Sequence, residues 1–375
     1  MVRVYIAIPT IERRNKLIKI GVVGASGYGG GELLRWLLQH PSVKVEKASS
    51  RTYAGKPVHA SFPNLAGLFD LRFSDDADPT DFQGCDVVFL ARDNGVAMNL
   101  VPRFIELGCK VIDLSADFRF RDAAVYEQWY AKHASPELNQ TAVYGLPELH
   151  REEIIQAAIV GNPGCYTTTS ILALAPLFAI RDTRPNSSGA MKPDLIVDPA
   201  SIIVDGKSGV SGAGRSKFGL DYHFAEANES VSAYKIAGTH RHTPEIEQEI
   251  SLLAHRDIRI SFTPHLIPMT RGILATCYAN LAKDMDADTL RARYREFYRD
   301  EPFVYVSDGL PATKHTIGSN MCHIGLAMDK RTGRVTVVSA TDNLGKGMVG
   351  QAIQNMNLMI GMEETAGLKL AGSWP

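Results

Sequence analysis

Residues 18–40, "IKIGVVGASGYGGGELLRWLLQH", constrain the fold more than any other stretch of this chain. A buried-looking apolar run stops at Gly24, Gly27 and Gly30 follow at three-residue spacing, and Leu33, Leu34, Leu37 and Leu38 then fall on one helical face. His40-Pro41 ends that face. Strand, tight glycine turn and helix make the opening βα unit of a parallel sheet, and a helix that starts on glycines leaves its first N–H groups free for a phosphate. The spacing differs from G-x-G-x-x-G. Gly24 suits the tight turn, Gly27 the close approach of a pyrophosphate and Gly30 the packing of helix on strand. Ser26, Tyr28 and Gly29 complete the expected cradle.

The same alternation continues to about Val160. "VKVEKASS", "CDVVFLA" and "CKVIDLS" read as further strands, and "GVAMNLVPRFIELG" as a helix between the last two. Strands alternating with helices predict a doubly wound, Rossmann-type parallel sheet. After Cys165 the pattern changes to longer strand candidates, "DLIVDPASIIVDG", "SVSAYKIAGTH", "IRISFTPHLIP", "RGILATCYANL" and "RVTVVSATDN". They are interrupted by the helical "PEIEQEISLLA" and "DADTLRARYREFYRD". Few tight hairpin signals occur, so a mixed sheet with helices on one face, an α+β lobe, is expected. The last helical stretch, "GMVGQAIQNMNLMIGM", has Val349, Ile353, Met356 and Ile360 along one side. The division is thus an N-terminal extension (1–15), a dinucleotide-binding domain (16–164) completed by the C-terminal helix (347–375), and an α+β catalytic and dimerisation domain (165–346). The Ser/Gly patches at 186–190 and 208–216 are too short for linkers and read as loops.

At 375 residues two lobes are natural, and a net charge of −1 gives no electrostatic reason to bind nucleic acid or an anionic membrane. No apolar run approaches a membrane span. The five cysteines are odd in number, scattered and without a C-x-x-C pair, so neither a disulfide framework nor a zinc ribbon is indicated and a reducing, cytoplasmic setting fits. Residues 1–17, "MVRVYIAIPTIERRNKL", are broken by Pro9 and followed by no small-residue cleavage site; a loosely packed extension is preferred to a targeting signal.

The end of the second strand discriminates between cofactors. An acid there holds the ribose 2′-OH of NAD. This chain has Ala48-Ser49-Ser50-Arg51, and the hydroxyl of Ser50 with the cation of Arg51 suits a 2′-phosphate. NADP(H) is therefore expected.

"GNPGCYTTTSILAL" puts Cys165 between a Gly-Asn-Pro-Gly turn and an apolar helix. The first turn of a helix favours thiolate over thiol, so a nucleophile with a lowered pKa is expected. Beside a nucleotide cradle, a thiolate suggests attack on an acyl carbon and hydride reduction of the resulting thioester. "GTHRHTPEIEQEI" offers the acid/base group: with Thr243 as cap and Pro244 at the first helical position, His240, Arg241 and His242 lie in the preceding loop. An H-x-H pair also occurs in metal sites, but no third ligand stands at a recognisable spacing, and no metal is expected. "VIDLSADFRF" brings Ser115, Asp117 and Arg119 to the end of the fourth strand, where ligands gather in such sheets. "SGVSGAGRSK" supplies Ser211, Gly212, Gly214 and Arg215 in a loop able to wrap an anion, and "TDNLGKGMVGQAIQN" places Asn343 and Gly347 where a dinucleotide or a lobe contact would sit.

Seven strings occur in order: "GASGYGGGELLRWL", "DLSADFRF", "VYGLPEL", "GNPGCYTT", "GVSGAGR", "GTHRHTPEI" and "DNLGKGMVGQAIQNMN". Together they resemble the N-acetyl-γ-glutamyl-phosphate reductases, relatives of the aspartate-semialdehyde dehydrogenases, from about Lys16 to Met362. The resemblance implies NADPH-dependent reductive dephosphorylation of N-acetyl-L-glutamyl 5-phosphate to the 5-semialdehyde in arginine biosynthesis. It implies Cys165 as nucleophile and His240 as catalytic acid/base. Cofactor contacts are expected from Gly24, Ser26, Gly27, Tyr28, Gly29, Gly30, Ser50, Arg51, Ser211, Gly212, Asn343 and Gly347. Substrate contacts are expected from Ser115, Arg119, Asn162, Arg215, His242 and Glu245. A homo-oligomer, dimer or tetramer, is expected. Residues 1–15 have no counterpart at the usual start of the family. Three other readings stay open: a sibling acting on aspartyl or amino-adipyl phosphate, an NADP-binding redox sensor without turnover, and a catalytically silent assembly module. The absence of a resolving cysteine near Cys165 counts against the sensor.

Overall fold

The computed structural model describes residues 17–75, 78–182, 190–216 and 219–374. The expected N-terminal extension and most of the 186–190 patch lie outside them. In the first lobe, β1 (Ile18–Val23), β2 (Val43–Ala48), β3 (Val87–Leu90), β4 (Lys110–Asp113), β5 (Val143–Tyr144) and β6 (Ile159–Gly161) form one sheet in the order β2-β1-β3-β4-β6-β5. Every pairing in it is parallel. The connections carry α1 (Tyr28–Leu37), α2 (Ala97–Glu106), α3 (Ala123–Trp129), α4 (Pro136–Asn139) and α5 (Pro147–Gln156). The strand order turns back on itself between β1 and β3, which opens a crevice at their carboxyl ends.

Cys165 begins the second lobe's first helix, α6 (Cys165–Leu174). A small antiparallel pair, β7 (Ala179–Arg181) and β8 (Met191–Pro193), follows. The seven-stranded sheet is assembled from β9 (Ile203–Gly209), β10 (Ser232–Ala233), β11 (Ser261–Ile267), β12 (Ile273–Asn280), β13 (Val304–Val306), β14 (Cys322–Asp329) and β15 (Arg334–Thr341). Its order is β10-β11-β9-β12-β15-β14-β13, with β9–β11 and β13–β14 parallel and the other pairs antiparallel. The remaining helices are α7 (Phe224–Ala227), α8 (Thr243–Ala254), α9 (Ala287–Phe297) and α10 (Gly350–Met359). β12 shows why one face is covered: Ile273, Ala275, Cys277 and Ala279 are buried, and the residues between them are only partly so. Ile171 and Leu172 of α6, Ile246 and Ile250 of α8, and Leu290 and Tyr294 of α9 share the core beneath that face. On the first sheet, Ile20, Val22 and Leu33 share a core with Val349, Ala352, Ile353 and Met356, so the end of the chain returns to the lobe in which it began.

Four expectations are corrected. "DLIVDPASIIVDG" is strand only from Ile203, because the Asp198 carboxylate caps a 3-10 turn at Pro199–Ser201. "SVSAYKIAGTH" keeps only Ser232–Ala233 as strand, since Lys235 and Ala237 adopt φ of 45° and 56° and turn the chain out of the sheet. The last helix, expected over 347–375, opens with a π-helical turn, Gly345–Val349, and ends at Met359, with turns and irregular chain beyond it. Thr243 is not the cap of α8: His242 occupies that position and the Thr243 hydroxyl has no partner. β14, absent from the sequence reading, pairs with β15 along its whole length.

Candidate active site

β6 runs off its carboxyl end into Asn162-Pro163-Gly164, and Gly164 caps α6 with no side chain involved. The first N–H groups of the helix are therefore open, and those of Cys165 and Tyr166 turn toward the Cys165 sulfur. Burial nevertheless pushes the thiol up to about 11, outweighing those N–H groups and the Arg119 guanidinium, which act to lower it. The expected low-pKa thiolate is thus corrected to a thiol at rest. Gly347 touches the same residue: a Cβ there would stand 2.9 Å from the Cys165 Cβ, so any side chain at 347 would displace the cysteine.

Buried groups brace the cysteine turn from below. Arg119, 7% exposed, donates from Nε to the Asn162 carbonyl (2.7 Å), from Nη2 to the Leu114 carbonyl (3.0 Å) and from Nη1 to Glu245 Oε2 (3.2 Å). Glu245 Oε1 accepts from the Gly164 N–H (2.9 Å), the Thr167 hydroxyl (2.7 Å) and the Tyr144 hydroxyl (2.8 Å). Asn162 donates to the Met348 carbonyl (3.0 Å) and accepts from Asn355 (3.1 Å). The Ser115 hydroxyl donates to Asp113 (2.8 Å). Of the residues expected to meet substrate, Asn162 and Glu245 are taken up by bonds that hold the turn in place, and the Ser115 hydroxyl is bonded to Asp113. Arg119 keeps part of its five-donor fork unassigned beside the thiol. Tyr144, which the sequence reading passed over, belongs to this brace; its place in "VYGLPEL", at the carboxyl end of the parallel strand β5, was the available signal.

His240 and His242 stand edge to face, with ring centroids 4.8 Å apart. The His242 backbone N–H donates to His240 Nδ1 (3.0 Å), so the neutral ring of His240 carries its proton on Nε2. Burial among Tyr166, Tyr234 and Phe262 pushes His240 down to about 2, helped by the neighbouring His242. His242 is pushed down to about 3 by burial and then by Arg119, and its Nε2 abuts Gly164 while its buried Nδ1 has no protein partner. Both rings are neutral at physiological pH.

At the β1–β3 crevice, Gly24 adopts φ 75°, and a Cβ there would meet the Ala91 carbonyl at 2.4 Å. Gly27 caps α1 without a side-chain bond, Gly30 lies on Ala25, Gly29 faces Met348, and Tyr28 is exposed. The Ser26 and Ser50 hydroxyls share a hydrogen bond of 2.7 Å. Arg51 follows at the end of β2, and the sequence reading overlooked Arg92 at the end of β3. The Arg92 side chain lies over Gly24; burial and the nearby Arg51 charge lower its pKa. Position alone could have flagged it, because ligands collect beyond the carboxyl ends of parallel strands.

The 209–215 loop comes from the second lobe. Arg215 donates to the Ser26 carbonyl (3.0 Å) and the Ser61 hydroxyl (2.6 Å) and lies over the Tyr53 and Phe62 rings. Its expected substrate contact is corrected: its contacts are at the nucleotide turn, not at Cys165. Ser211 accepts from Asn343 (2.9 Å), Asn343 also accepts from the Gly272 N–H (2.7 Å), and Gly212 lies beside this pair. Asn343 is 1% exposed, and its two bonds tie loop to strand. Among the described residues, no set of His, Cys, Asp or Glu side chains is grouped to hold a metal ion, and no helix is long and apolar enough to cross a membrane.

Two family models match the chain: "Semialdehyde dehydrogenase, NAD binding domain" over residues 19–157 and "Semialdehyde dehydrogenase, dimerisation domain" over residues 165–343. The N-acetyl-gamma-glutamyl-phosphate reductase of Symbiobacterium thermophilum is 51% identical over 358 residues, covering 95% of this chain and 98% of its own. That of Geobacter metallireducens is 51% identical over 356 residues, covering 94% and 98%. Among solved structures, aspartate semialdehyde dehydrogenase II of Vibrio cholerae superposes with a TM-score of 0.68 at 15% identity, covering 92% of this chain and 99% of its own. The Candida albicans aspartate semialdehyde dehydrogenase solved with NADP gives 0.66 at 16% identity, covering 92% and 99%. The chain belongs to the N-acetyl-gamma-glutamyl-phosphate reductases of the semialdehyde dehydrogenase family.

Proposed function

We propose that this chain reduces N-acetyl-L-glutamyl 5-phosphate to N-acetyl-L-glutamate 5-semialdehyde and phosphate, with NADPH as reductant and Cys165 as nucleophile. The observation that carries the reading is the position of Cys165, at an uncapped helix start where the edges of both lobes meet. The β1–β3 crevice fits a dinucleotide: α1 has no side-chain cap to compete with a phosphate, and Arg51 and Arg92 flank it with positive charge. Bound there, NADPH supplies the hydride.

The chemistry of the chain's own residues follows. Cys165 sulfur bonds to the acyl carbon, the carbon–oxygen bond to phosphate breaks, and the thiol proton departs with the phosphate. The acyl group is then a thioester on Cys165. After hydride addition the carbon–sulfur bond breaks, the aldehyde is released, and the thiolate regains a proton from solvent. Arg119 favours the ionised sulfur. His240, neutral with its proton on Nε2, donates a hydrogen bond to the acyl oxygen as negative charge gathers there. Ser50, Arg51 and Arg92 would hold the 2′-phosphate of the bound cofactor. The protein works as a homo-oligomer assembled through residues 165–343, in a reducing cytoplasm that keeps its five free cysteines as thiols.

A steady-state assay with N-acetylglutamyl phosphate against aspartyl phosphate, each with NADPH and NADH, tests this directly. The reading requires N-acetylglutamyl phosphate with NADPH to have the highest kcat/KM; a preference for aspartyl phosphate would replace it with the sibling reaction.

A further inference from the structure

The proposed mechanism leaves a buried ion pair unused. Lys346 and Glu148 are both fully buried, with Nζ 2.6 Å from Oε1, and Lys346 also donates to Gln354 Oε1 (2.7 Å) and lies over the Phe303 ring. Two unit charges are costly to remove from water, and an apolar pair of similar volume would often be as stable. The position of the pair therefore asks for an account.

Lys346 lies in the π-helical turn Gly345–Val349, a form that tends to occur at functional sites. The next residue, Gly347, is the one against Cys165. The one after, Met348, accepts a hydrogen bond on its carbonyl from Asn162 in the cysteine turn. Three consecutive residues thus form a floor under the nucleophile, and Lys346 ties that floor to the start of α5. The anchor is itself fixed. The Glu148 carbonyl accepts from Arg181 (2.7 Å), Arg181 pairs with Glu301 (3.0 Å), and Arg151 of α5 pairs with Glu301 (2.6 Å) and Glu364 (3.0 Å). Three cations and three carboxylates balance one another. A hydrophobic contact in place of Lys346 could slide; a 2.6 Å salt bridge between two fully buried charges fixes the height of the turn.

We propose that Lys346, neutralised by Glu148, is a positioning residue: it holds the Gly345–Val349 turn against Cys165 and so sets where the sulfur meets the acyl carbon. This rests on Cys165 being the nucleophile. The informative protein is the double variant Lys346→Met with Glu148→Leu, which removes both charges and leaves none unpaired. It is expected to unfold thermally within a few degrees of wild type. Its kcat should fall about 10²-fold, the cost of a misplacement on the order of 1 Å. The KM for NADPH should be unchanged, and the pH midpoint for alkylation of Cys165 by iodoacetamide should move. Gln354→Met, which removes one acceptor from Lys346 and creates no lone charge, should lower kcat in the same direction by a smaller factor. A folded double variant with wild-type kcat and alkylation profile overturns the proposal. If the double variant does not fold, wild-type values for both in Gln354→Met overturn it. Cys165→Ser in the wild-type background separates the two ideas: if it retains turnover, the nucleophile assignment has failed, whatever Lys346 does.

Discussion

The Cys165 thiol lies near 11 and the His240 imidazole near 2, so burial leaves both uncharged at neutral pH. An unliganded thiol of that kind has a thiolate fraction on the order of 10⁻⁴ at pH 7. Alkylation of Cys165 by iodoacetamide should accelerate steadily with pH toward a midpoint near 11. In Arg119→Gln the midpoint should rise further, because the guanidinium favours the charged form; an unmoved midpoint would remove Arg119 from the sulfur's environment. For His240 the sign is reversed. A histidine lowered to about 2 has no second proton to lose above pH 6, so turnover should rise with pH and show no basic limb from an imidazolium. His240→Asn should cost about 10²–10³ in kcat, as for loss of one oxyanion donor, with an unchanged profile shape. A basic limb that vanishes in His240→Asn, beside an unaltered His242→Asn, would show a charged acid after all. The two chemical groups were legible in "GNPGCYTT" and "GTHRHTPEI". Their protonation was not, because the groups that desolvate them, Phe262, Tyr234 and the brace on Glu245, arrive from distant parts of the chain.

The proposed choice of cofactor rests on strand ends. β2 delivers Ser50 and Arg51, β3 delivers Arg92, and the parallel order β2-β1-β3 places both at the edge where α1 begins. If the two arginines hold the 2′-phosphate, Arg51→Ala and Arg92→Ala should each weaken NADPH by about 1.5–3 kcal/mol, the range for hydrogen bonds to a charged group. NADH affinity, measured by fluorescence titration, should hardly change; equal losses for the two cofactors would assign the arginines to packing. β1, β3 and β4 could be read from their apolar runs because both faces of a parallel sheet are buried, whereas β5 and β6, two and three residues long, were too short to read. In the second lobe, the same reading extended "SVSAYKIAGTH" too far and missed β14. Lys235 and Ala237 are not residue types that announce a left-handed turn. "CHIGLAMD" mixes small and polar residues with its apolar ones, so it offers neither a continuous apolar run nor a clean alternation.

Across the whole molecule, ion pairs and a hydrogen bond from charged side chains join the lobes around the site. Arg271 of the second lobe reaches Glu32 of α1 (2.8 Å), Arg215 reaches the Ser26 turn, and His150 of α5 meets Glu249 of α8 (2.6 Å). Burial alone would lower His150, but Glu249 and Glu153 outweigh it and raise the imidazole to about 9. A folded value above the unfolded one gives stability that is complete below about pH 6.5 and is lost as pH rises through about 9, on the order of 3 kcal/mol. Urea unfolding at pH 6 and pH 9.5 should show that loss in the wild type and little of it in His150→Gln; equal losses would place the titration elsewhere. These contacts were invisible in the sequence, where partners stand as far apart as Glu32 and Arg271. The central claim, acyl transfer to Cys165 before reduction, is tested most directly by supplying N-acetylglutamyl phosphate with NADP⁺ in place of NADPH. The account predicts a burst of one phosphate per site and an N-acetylglutamyl adduct on the Cys165 peptide by mass spectrometry. Neither burst nor adduct, in protein that turns over normally once NADPH is added, would contradict it.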